Sequence, residues 1–248
     1  MTSCAMSPAH RLLAAILTMQ LAGCASLPVP YTGQGPHPQV ERGKPNRVID
    51  GLGNFFGFLS KWTLLGWRMD QHHISMRTED VLVDFLDDRD AEAFEDTQYR
   101  LNQYRPLDDL KRLAKNRHVA WPYRLILGLP FTLIGDVILP GRLFGGDRYS
   151  PWTNTVHLYS DYPAVALHEA GHSYDFSQRR FKGTYALMRL IIPFVDLYQE
   201  FRASDEALDY LIETGNRHEE YKAYRLLYPA FGTYVARYAP SILSAIPV

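Results

Sequence analysis

Hydrophobic and polar positions divide the chain into an apolar N-terminal run, a proline-rich stretch and a longer part with helix and strand patterns. The apolar run, from Leu12 to Leu21, follows His10 and Arg11. It is too short to cross a bilayer, because a spanning helix needs about 20 apolar residues. Residues 24–50 are rich in proline and glycine, a composition that favours an extended tether over a packed core. We therefore expect the folded domain to comprise residues 51–248.

The first part of this domain, residues 51–150, is predicted to be mainly helical. Residues 54–68 are rich in phenylalanine and tryptophan and are expected to pack into the core, with contact to a bilayer as the alternative. Residues 78–116 are predicted to form a helix with a charged, solvated face. Residues 121–148 are apolar but interrupted by glycine and proline. This favours short buried pieces over a spanning helix, with a membrane-dipping segment as the alternative.

The second part, residues 151–248, shows a strand followed by two helices. Residues 153–159 contain β-branched and aromatic side chains typical of a strand. Cap-type residues and Pro163 then start a helix that is expected to reach Gln178. A second helix is predicted from Pro193 to Gly215. These patterns predict an α+β fold, mostly helical, with a small sheet or edge strand beside the first of the two helices.

Charge and length exclude some classes of protein. Lys and Arg total 26 and Asp and Glu total 27, giving a formal net charge of -1 over 248 residues. Such a balance offers no basic surface for nucleic acid, so we expect no nucleic-acid partner. The length suits one substantial domain with a small N-terminal accessory region.

The end of the apolar run carries a targeting pattern. Residues 21–24 read Leu-Ala-Gly-Cys and resemble the bacterial lipobox, in which the cysteine is lipidated and begins the mature protein. The resemblance implies a signal peptide at residues 1–23 and a lipid anchor on Cys24, whose acyl chains suffice for stable membrane attachment. Ala25 resembles an outer-membrane sorting residue, which implies an envelope protein facing the periplasm. The alternative is an ordinary secretory signal with a chance cysteine.

Cysteine usage restricts the chemistry of the mature chain. The two cysteines are Cys4 and Cys24, and Cys4 would leave with the signal peptide. The mature chain would then contain no disulfide and no thiolate ligand. A metal site would have to use histidines and carboxylates.

The first of the two C-terminal helices contains the sequence His168-Glu169-Ala170-Gly171-His172. At roughly 100° per residue, His168 and His172 project from one face one turn apart, so their imidazoles can share one zinc ion. Glu169 stands beside the first histidine, where it can accept a proton from water and deliver it to a leaving amine. The alternative is a buried helix with two hydrogen-bonded histidines.

A catalytic zinc site usually has a third protein ligand. Glu200, in the second helix, is the candidate, because it lies at the edge of a predicted buried arc that includes Phe201 and Ile212. The small Ala203 and Ala207 would let the two helices approach closely there. The alternative is a buried glutamate paired with an arginine or tyrosine.

These residues resemble a known group of enzymes. His-Glu-Ala-Gly-His followed by Glu-x-x-Ala-Ser resembles the gluzincins and bacterial membrane-linked zinc peptidases, over about residues 153–212. The resemblance implies a zincin-like domain with its catalytic part at residues 151–248. One zinc would be held by His168, His172 and Glu200, with Glu169 as general base and a peptide or protein as substrate. It also implies that the strand at residues 153–159 pairs with the extended substrate.

Two supporting roles have several candidates. Thermolysin-like enzymes carry an aspartate four residues after the glutamate ligand, where this chain has Ser204. Asp175 and Asp196 are alternative residues for orienting a zinc-bound histidine, or are surface acids. The group that would polarise the substrate oxyanion is also open. Its candidates are His218, Tyr221, Tyr224 and Tyr234.

The sequence thus predicts a membrane-anchored zinc peptidase. The rival interpretations are a non-enzymatic envelope lipoprotein that serves as a scaffold, and a zinc hydrolase of a non-peptide amide or ester. Glu169 disfavours the scaffold, because a purely structural metal has no use for a general base.

Overall fold

The computed structural model describes residues 28–29, 37–63, 67–89 and 96–244. The predicted signal peptide, the lipidation residue Cys24 and most of the predicted tether lie outside the described residues. Helices predominate in the described part and surround one small mixed sheet, which confirms the predicted α+β class. Within these ranges, no helix combines the length and the apolar character needed to cross a membrane.

The sheet of the described part has its parallel strands in the middle and an antiparallel strand at each edge. The central strands run parallel in the order β2-β3-β5, β1 pairs with β2, and β4 pairs with β5. Every residue of β5 is buried, as expected for a strand covered on both faces. The strands are β1 (Pro28–Val29), β2 (Val40–Gly43), β3 (Gln98–Leu101), β4 (Arg148–Ser150) and β5 (Thr155–Leu158).

Helices connect and cover these strands. Prolines stand in the first turn of several of them, where the missing N–H is no loss. The N-terminal helices are α1 (Arg47–Phe56), α2 (Phe58–Thr63), α3 (Met76–Asp88) and α4 (Pro106–Lys115), followed by α5 (residues 121–138, α-helical and π-helical turns in succession) and α6 (Gly141–Phe144). The C-terminal helices are α7 (Pro163–Ser177), α8 (Lys182–Ile191), α9 (Pro193–Glu213) and α10 (Arg217–Ser244).

The helices α7 and α9 form the centre of the domain. Both follow the predicted bounds closely. They approach each other at Gly171, where a Cβ atom would lie 2.7 Å from the carbonyl oxygen of Ala203. Ala203 and Ala207 are fully buried at this contact. Small side chains on both helices therefore let the two backbones approach closely, as the sequence predicted for the alanines.

The prediction of one helix over residues 78–116 is wrong. Helix α3 ends at Asp88, strand β3 follows, and α4 begins at Pro106. Strand β3 lies between β2 and β5, and three of its four residues are buried. Its covered position removes the alternation of polar and apolar residues that would have identified it.

The tether predicted for residues 24–50 is too long at its C-terminal end. Val40–Gly43 form a strand in the sheet, and α1 begins at Arg47 with Asn46 as its N-cap. Gly43 packs so closely that a Cβ atom would lie 2.0 Å from the carbonyl oxygen of Asn102. This segment is ordered by strand pairing with distant residues, which its local composition does not reveal.

The expected burial of two apolar segments is also wrong. The aromatic side chains of residues 54–68 are largely exposed, including Phe55, Phe58 and Trp62. Residues 121–138 form the continuous helical segment α5, which buries only Gly128, Thr132 and Asp136 fully. Both segments instead place large apolar side chains on the surface.

Candidate metal centre

Helices α7 and α9 bring together the three residues predicted as metal ligands. His168 Nε2 lies 3.3 Å from Glu200 Oε2, and His172 Nε2 lies 3.5 Å from Glu200 Oε1. The candidate ligand atoms of the three residues all lie within 4.8 Å of one another. The two imidazole rings meet edge to face, with their centroids 4.6 Å apart.

This group fits a single metal ion. Zinc binds histidine nitrogen and carboxylate oxygen at about 2.0–2.2 Å in tetrahedral geometry, which separates neighbouring ligand atoms by about 3.3–3.5 Å. The two histidine–carboxylate distances, 3.3 Å to Glu200 Oε2 and 3.5 Å to Glu200 Oε1, agree with that separation. Two imidazoles and one carboxylate also form a ligand set that leaves a fourth position open for water or substrate.

Glu200 is positioned by a helix face that differs slightly from the predicted one. The buried face of α9 contains Glu200, Ala203, Ala207 and Leu211, whereas Phe201 is exposed. Ile212 is exposed as well. Glu200 therefore lies within the buried face and not at its edge. A buried carboxylate needs a compensating partner, and the two histidines with a metal would supply one.

Glu200 also has an arginine partner, the alternative that the sequence left open. Arg189 Nη2 on α8 donates to Glu200 Oε1 at 2.5 Å. Burial raises the pKa of Glu200, but the charges and hydrogen bonds of His172 and His168 outweigh it and lower the pKa well below its usual value. Glu200 is therefore an anion at neutral pH, as a metal ligand must be.

Asp196 supports this arginine instead of a histidine. Arg189 Nε donates to Asp196 Oδ1 at 2.9 Å, and the Tyr238 hydroxyl donates to the other Asp196 oxygen at 2.7 Å. Asp196 thus acts on Glu200 through Arg189. The sequence predicts that Asp196 orients a histidine, whereas in the structure it orients Arg189.

Ser204 occupies the orienting position at His168. Its hydroxyl oxygen lies 3.2 Å from His168 Nδ1, which leaves Nε2 directed at Glu200. Burial lowers the pKa of His168, but the hydrogen bond to Glu200 and the charge of Glu169 prevail and raise it. For His172 burial prevails, and its pKa is lowered.

Asp175 contacts an arginine and a tyrosine instead of a histidine. It pairs with Arg179, just beyond the end of α7, and the Tyr185 hydroxyl donates to its second oxygen at 2.6 Å. In the described part of the chain it makes no hydrogen bond to His168 or His172. The prediction that Asp175 orients His168 is therefore wrong, because a nearby arginine and tyrosine satisfy the carboxylate.

Glu169 faces a cleft of about 290 Å³ that two of the three candidate ligands, His168 and Glu200, also line. The side chain is buried, and burial raises the pKa of Glu169 to about 7. A carboxyl group with a pKa near neutrality can both accept and return a proton, which suits general acid–base work. The cleft is also lined by His168, Glu200 and Ser204 from α7 and α9, and by Phe231 and Tyr234 from α10.

One of the four predicted oxyanion candidates lines this cleft. Burial raises the pKa of Tyr234, and the neighbouring charges of Glu200 and Glu169 add to the effect. His218 and Tyr221 are mainly exposed, and Tyr224 packs against the Tyr228 ring. The geometry thus separates Tyr234 from the other three candidates.

The strand expected to pair with substrate lies in the interior of the sheet. Strand β5 is hydrogen-bonded to β3 on one side and β4 on the other, so its backbone is already occupied. The prediction that residues 153–159 bind an extended substrate is therefore wrong. The edge strand next to β5 is β4, and Gly146 and Asp147, just before it, line the cleft.

A second polar cluster, Asp109, Asp136 and His157, has atoms close enough to hold a metal. Its residues are buried and lie on α4, α5 and β5, and the sequence does not predict the cluster because these segments are distant along the chain. Arg100 donates to Asp109 Oδ1 at 2.6 Å, and Arg148 pairs with Asp136 Oδ1. The same two oxygens face His157. Because two arginines already balance the two carboxylates, an added cation would leave uncompensated buried charge, which is costly.

Comparisons of the chain with protein-family models, with curated proteins and with solved structures find no match. A functional interpretation must therefore come from the chain's own residues. Those residues define an α+β domain with a His-His-Glu group, a buried glutamate beside it and a cleft that reaches both.

Proposed function

We propose that the protein is a membrane-anchored zinc hydrolase that cleaves peptide bonds. The observation that carries the proposal is the convergence of His168, His172 and Glu200 at ligand spacing, with Glu169 facing the adjoining cleft. Zinc would be held by the two Nε2 atoms and the Glu200 carboxylate. When bound, it would supply a Lewis acid that polarises a carbonyl group and lowers the pKa of water.

Three residues would hold the ligands in place. Ser204 fixes the orientation of His168, because a histidine that binds metal through Nε2 is positioned by the partner of Nδ1. Arg189 holds Glu200 Oε1, and Asp196 holds Arg189. His168 and Glu200 are therefore fixed by contacts from α8 and α9.

Glu169 would act as the general base and then as the general acid of the reaction. Its carboxylate accepts a proton from the attacking water as the water oxygen bonds to the peptide carbonyl carbon. It then delivers that proton to the amine nitrogen as the carbon–nitrogen bond breaks. Both steps need a group whose pKa lies near the working pH, and without a metal burial raises the pKa of Glu169 to about 7.

Two further elements would position the peptide. The Tyr234 hydroxyl can donate a hydrogen bond to the carbonyl oxygen on which charge develops. Strand β4 has a free edge within the described sheet, and an extended peptide can add to such an edge through backbone hydrogen bonds. Peptide bonds are thus favoured over other amides and esters as the substrate.

The anchor proposed at Cys24 would hold this domain in the bacterial envelope, with the resemblance of Ala25 to a sorting residue favouring the outer membrane and the periplasmic side. The acyl chains that anchor a lipoprotein require no spanning helix. Substrates would then be peptides or proteins of that compartment.

Metal analysis beside hydrolysis of a peptide library tests the proposal. The purified chain should contain one zinc ion and cleave peptides, and Glu169→Gln should keep the zinc but lose about 10²–10⁴-fold in rate. Zinc without cleavage of any peptide would favour the scaffold, or the amide or ester hydrolase if such compounds are cleaved. Undiminished cleavage by Glu169→Gln would remove Glu169 from the mechanism.

A further inference from the structure

We propose that one face of the domain docks on the surface of a lipid bilayer. This apolar face is formed by α1, α2, α5 and α6. Docking through it differs from attachment by a lipid anchor, because the folded domain itself would contact the membrane. Its most prominent side chains are Phe55, Phe58, Trp62, Ile126, Phe131 and Ile134, all of them exposed.

Helix α5 presents its apolar side outward. Every exposed residue from 121 to 139 is apolar, whereas the buried positions are Gly128, Thr132 and Asp136. Gly128 fits against Leu113 and Trp152, so the inner side is fixed to the domain. A helix on a water-exposed surface normally has the opposite arrangement, with polar residues outward. A contiguous apolar surface of this kind marks an interaction site.

The exposed side chains of the four helices are continuous. Residues 139–140 lead directly from α5 into α6, where Phe144 is exposed. The rings of Phe144 and Phe56 lie 5.3 Å apart, which joins α6 to α1. Phe58 and Trp62, on α2, continue the surface with their rings 6.3 Å apart. The face therefore extends from α5 across α6 to α2.

Its composition favours a bilayer as the occupant. Among the four tryptophans of the chain, Trp62, Trp67 and Trp121 are exposed, at 64%, 70% and 67%. Tryptophan and other aromatic side chains are enriched where a protein meets lipid headgroups. The exposed cations Lys44 and Arg47 stand at the start of α1, where they can contact anionic lipids.

The position of the chain entering the domain gives a second reason. Pro28 in β1 pairs with Gly43, and the next residue, Lys44, accepts a hydrogen bond from Arg142 of α6 at 2.8 Å. Cys24 precedes Pro28 by four residues, which span at most about 14 Å. This step rests on the proposed lipidation of Cys24. An anchor so close to α6 would bring the apolar face to the same bilayer.

Vesicle binding by an unlipidated protein tests the docking. The chain from residue 24 onward contains every described residue and is prepared as Cys24→Ser, so that neither the signal peptide nor a lipid contributes. It should sediment with vesicles of phosphatidylethanolamine and phosphatidylglycerol. Its tryptophan emission should shift to the blue and be quenched by brominated lipid, because the exposed tryptophans enter the interface.

Variants locate the contact. Ile126→Ser with Ile134→Ser should weaken vesicle binding by at least about tenfold, since two large apolar side chains no longer enter the lipid. Tyr221→Ser is the matched control, because Tyr221 on α10 is 63% exposed, close to the 69% of Ile126. It should bind vesicles as the parent protein does. Circular dichroism confirms that each variant is folded.

Three results would overturn the proposal. The first is a parent protein that stays in the supernatant and shows no blue shift of its tryptophan emission. The second is an Ile126→Ser, Ile134→Ser variant that binds vesicles as strongly as the parent protein. The third is a parent protein that does not bind vesicles but forms a stable dimer, which this variant breaks. The last result would show that a second copy covers the face. Vesicle binding requires neither metal nor cleavage, so Glu169→Gln should bind normally, and a failure of the peptidase proposal would not affect this test.

Discussion

Arg189 donates to one carboxylate oxygen of Glu200, and leaves the other oxygen 3.3 Å from His168 Nε2. The two oxygens of the carboxylate therefore have different sets of partners. Oε1 is held by an arginine from α8 and also lies 3.5 Å from His172 Nε2, whereas Oε2 faces His168. Glu200 is thus both an ion-pair partner and a candidate ligand, and the two interpretations of a buried glutamate are compatible.

The ligand role of Glu200 is tested against a second glutamate of the same helix. Glu200→Ala should abolish zinc binding and destabilise the fold by about 1–3 kcal/mol, because Arg189 loses a buried partner. Glu206 pairs with Arg89 at 2.8 Å but lies away from the histidines. Glu206→Ala should keep the zinc. Zinc per chain and chemical denaturation measure the two effects. If Glu206→Ala lost its zinc and Glu200→Ala kept it, the third ligand would be Glu206 and not Glu200.

Ser204 should matter for metal affinity and Asp175 should not. Ser204→Ala removes the partner of His168 Nδ1, and loss of such an orienting contact typically weakens metal affinity by about 10–100-fold. Asp175→Ala breaks contacts to Arg179 and Tyr185 instead. Its zinc affinity should equal that of the wild type. Competition with a fluorescent chelator measures both, and a weaker affinity in Asp175→Ala only would reverse the assignment.

The helices that carry the centre could be predicted because their signals are local. Pro163 and Pro193 mark the starts of α7 and α9, and the histidine spacing is fixed by helical geometry. The small residues Ala203 and Ala207 also indicated where the two helices meet. The predicted position of Glu200 opposite the two histidines follows from these features alone.

What the sequence missed depends on contacts between distant segments. Strand β3 is recognisable only through pairing with β2 and β5, and Arg189 reaches Glu200 from a separate helix. The predicted buried face of α9 differs from the observed one by a rotation about the helix axis, because Phe201 is apolar yet exposed. The apolar composition of residues 121–138 likewise predicts an interior position, whereas the exposed side chains of α5 are apolar. An apolar composition predicts that a segment tends to avoid water, but it does not predict whether the segment packs against the rest of the protein or stays on its surface.

Tyr234 should contribute to the rate and not to metal binding. Tyr234→Phe keeps the ring against the cleft and removes the hydroxyl that would donate to the substrate carbonyl oxygen. The expected loss in kcat is about 10²–10³-fold, as for other single donors of this kind, with zinc content unchanged. Tyr221→Phe serves as the control, because Tyr221 is exposed. Equal kcat for Tyr234→Phe and wild type would exclude this role.

Lipidation is tested independently of the enzyme. Cells that express the wild type and are fed a fatty-acid analogue should label the protein, because residues 21–24 resemble a lipobox. Cys24→Ser should carry no label, whereas Cys4→Ser should be labelled like the wild type, since Cys4 would be removed with the signal peptide. Equal label on the Cys24→Ser protein would contradict the anchor.

The raised pKa of Glu169 predicts a pH dependence of folding stability in the metal-free protein. Burial raises this pKa from 4.5 to about 7, so between these values the folded state binds a proton that the unfolded state has released. The free energy of unfolding must therefore fall as the pH rises through that window, and this contribution is fully present only below pH 4.5. Glu169→Gln removes the titrating group and keeps the size of the side chain. The stability advantage of Glu169→Gln over the wild type should consequently grow from pH 4.5 to 7.

Denaturant unfolding of both chelator-treated proteins across this pH range measures the difference. Buried acids that do not interact with Glu169, such as Asp109, titrate in both proteins and cancel in the comparison. A difference that stays constant with pH would mean that Glu169 has an ordinary pKa, and its suitability as a base near neutral pH would have to come from the bound metal alone. Bound zinc should reduce the pH-dependent difference, because a nearby cation favours the ionised carboxylate. Repeating the comparison after zinc is restored therefore shows whether Glu169 and the metal share one site.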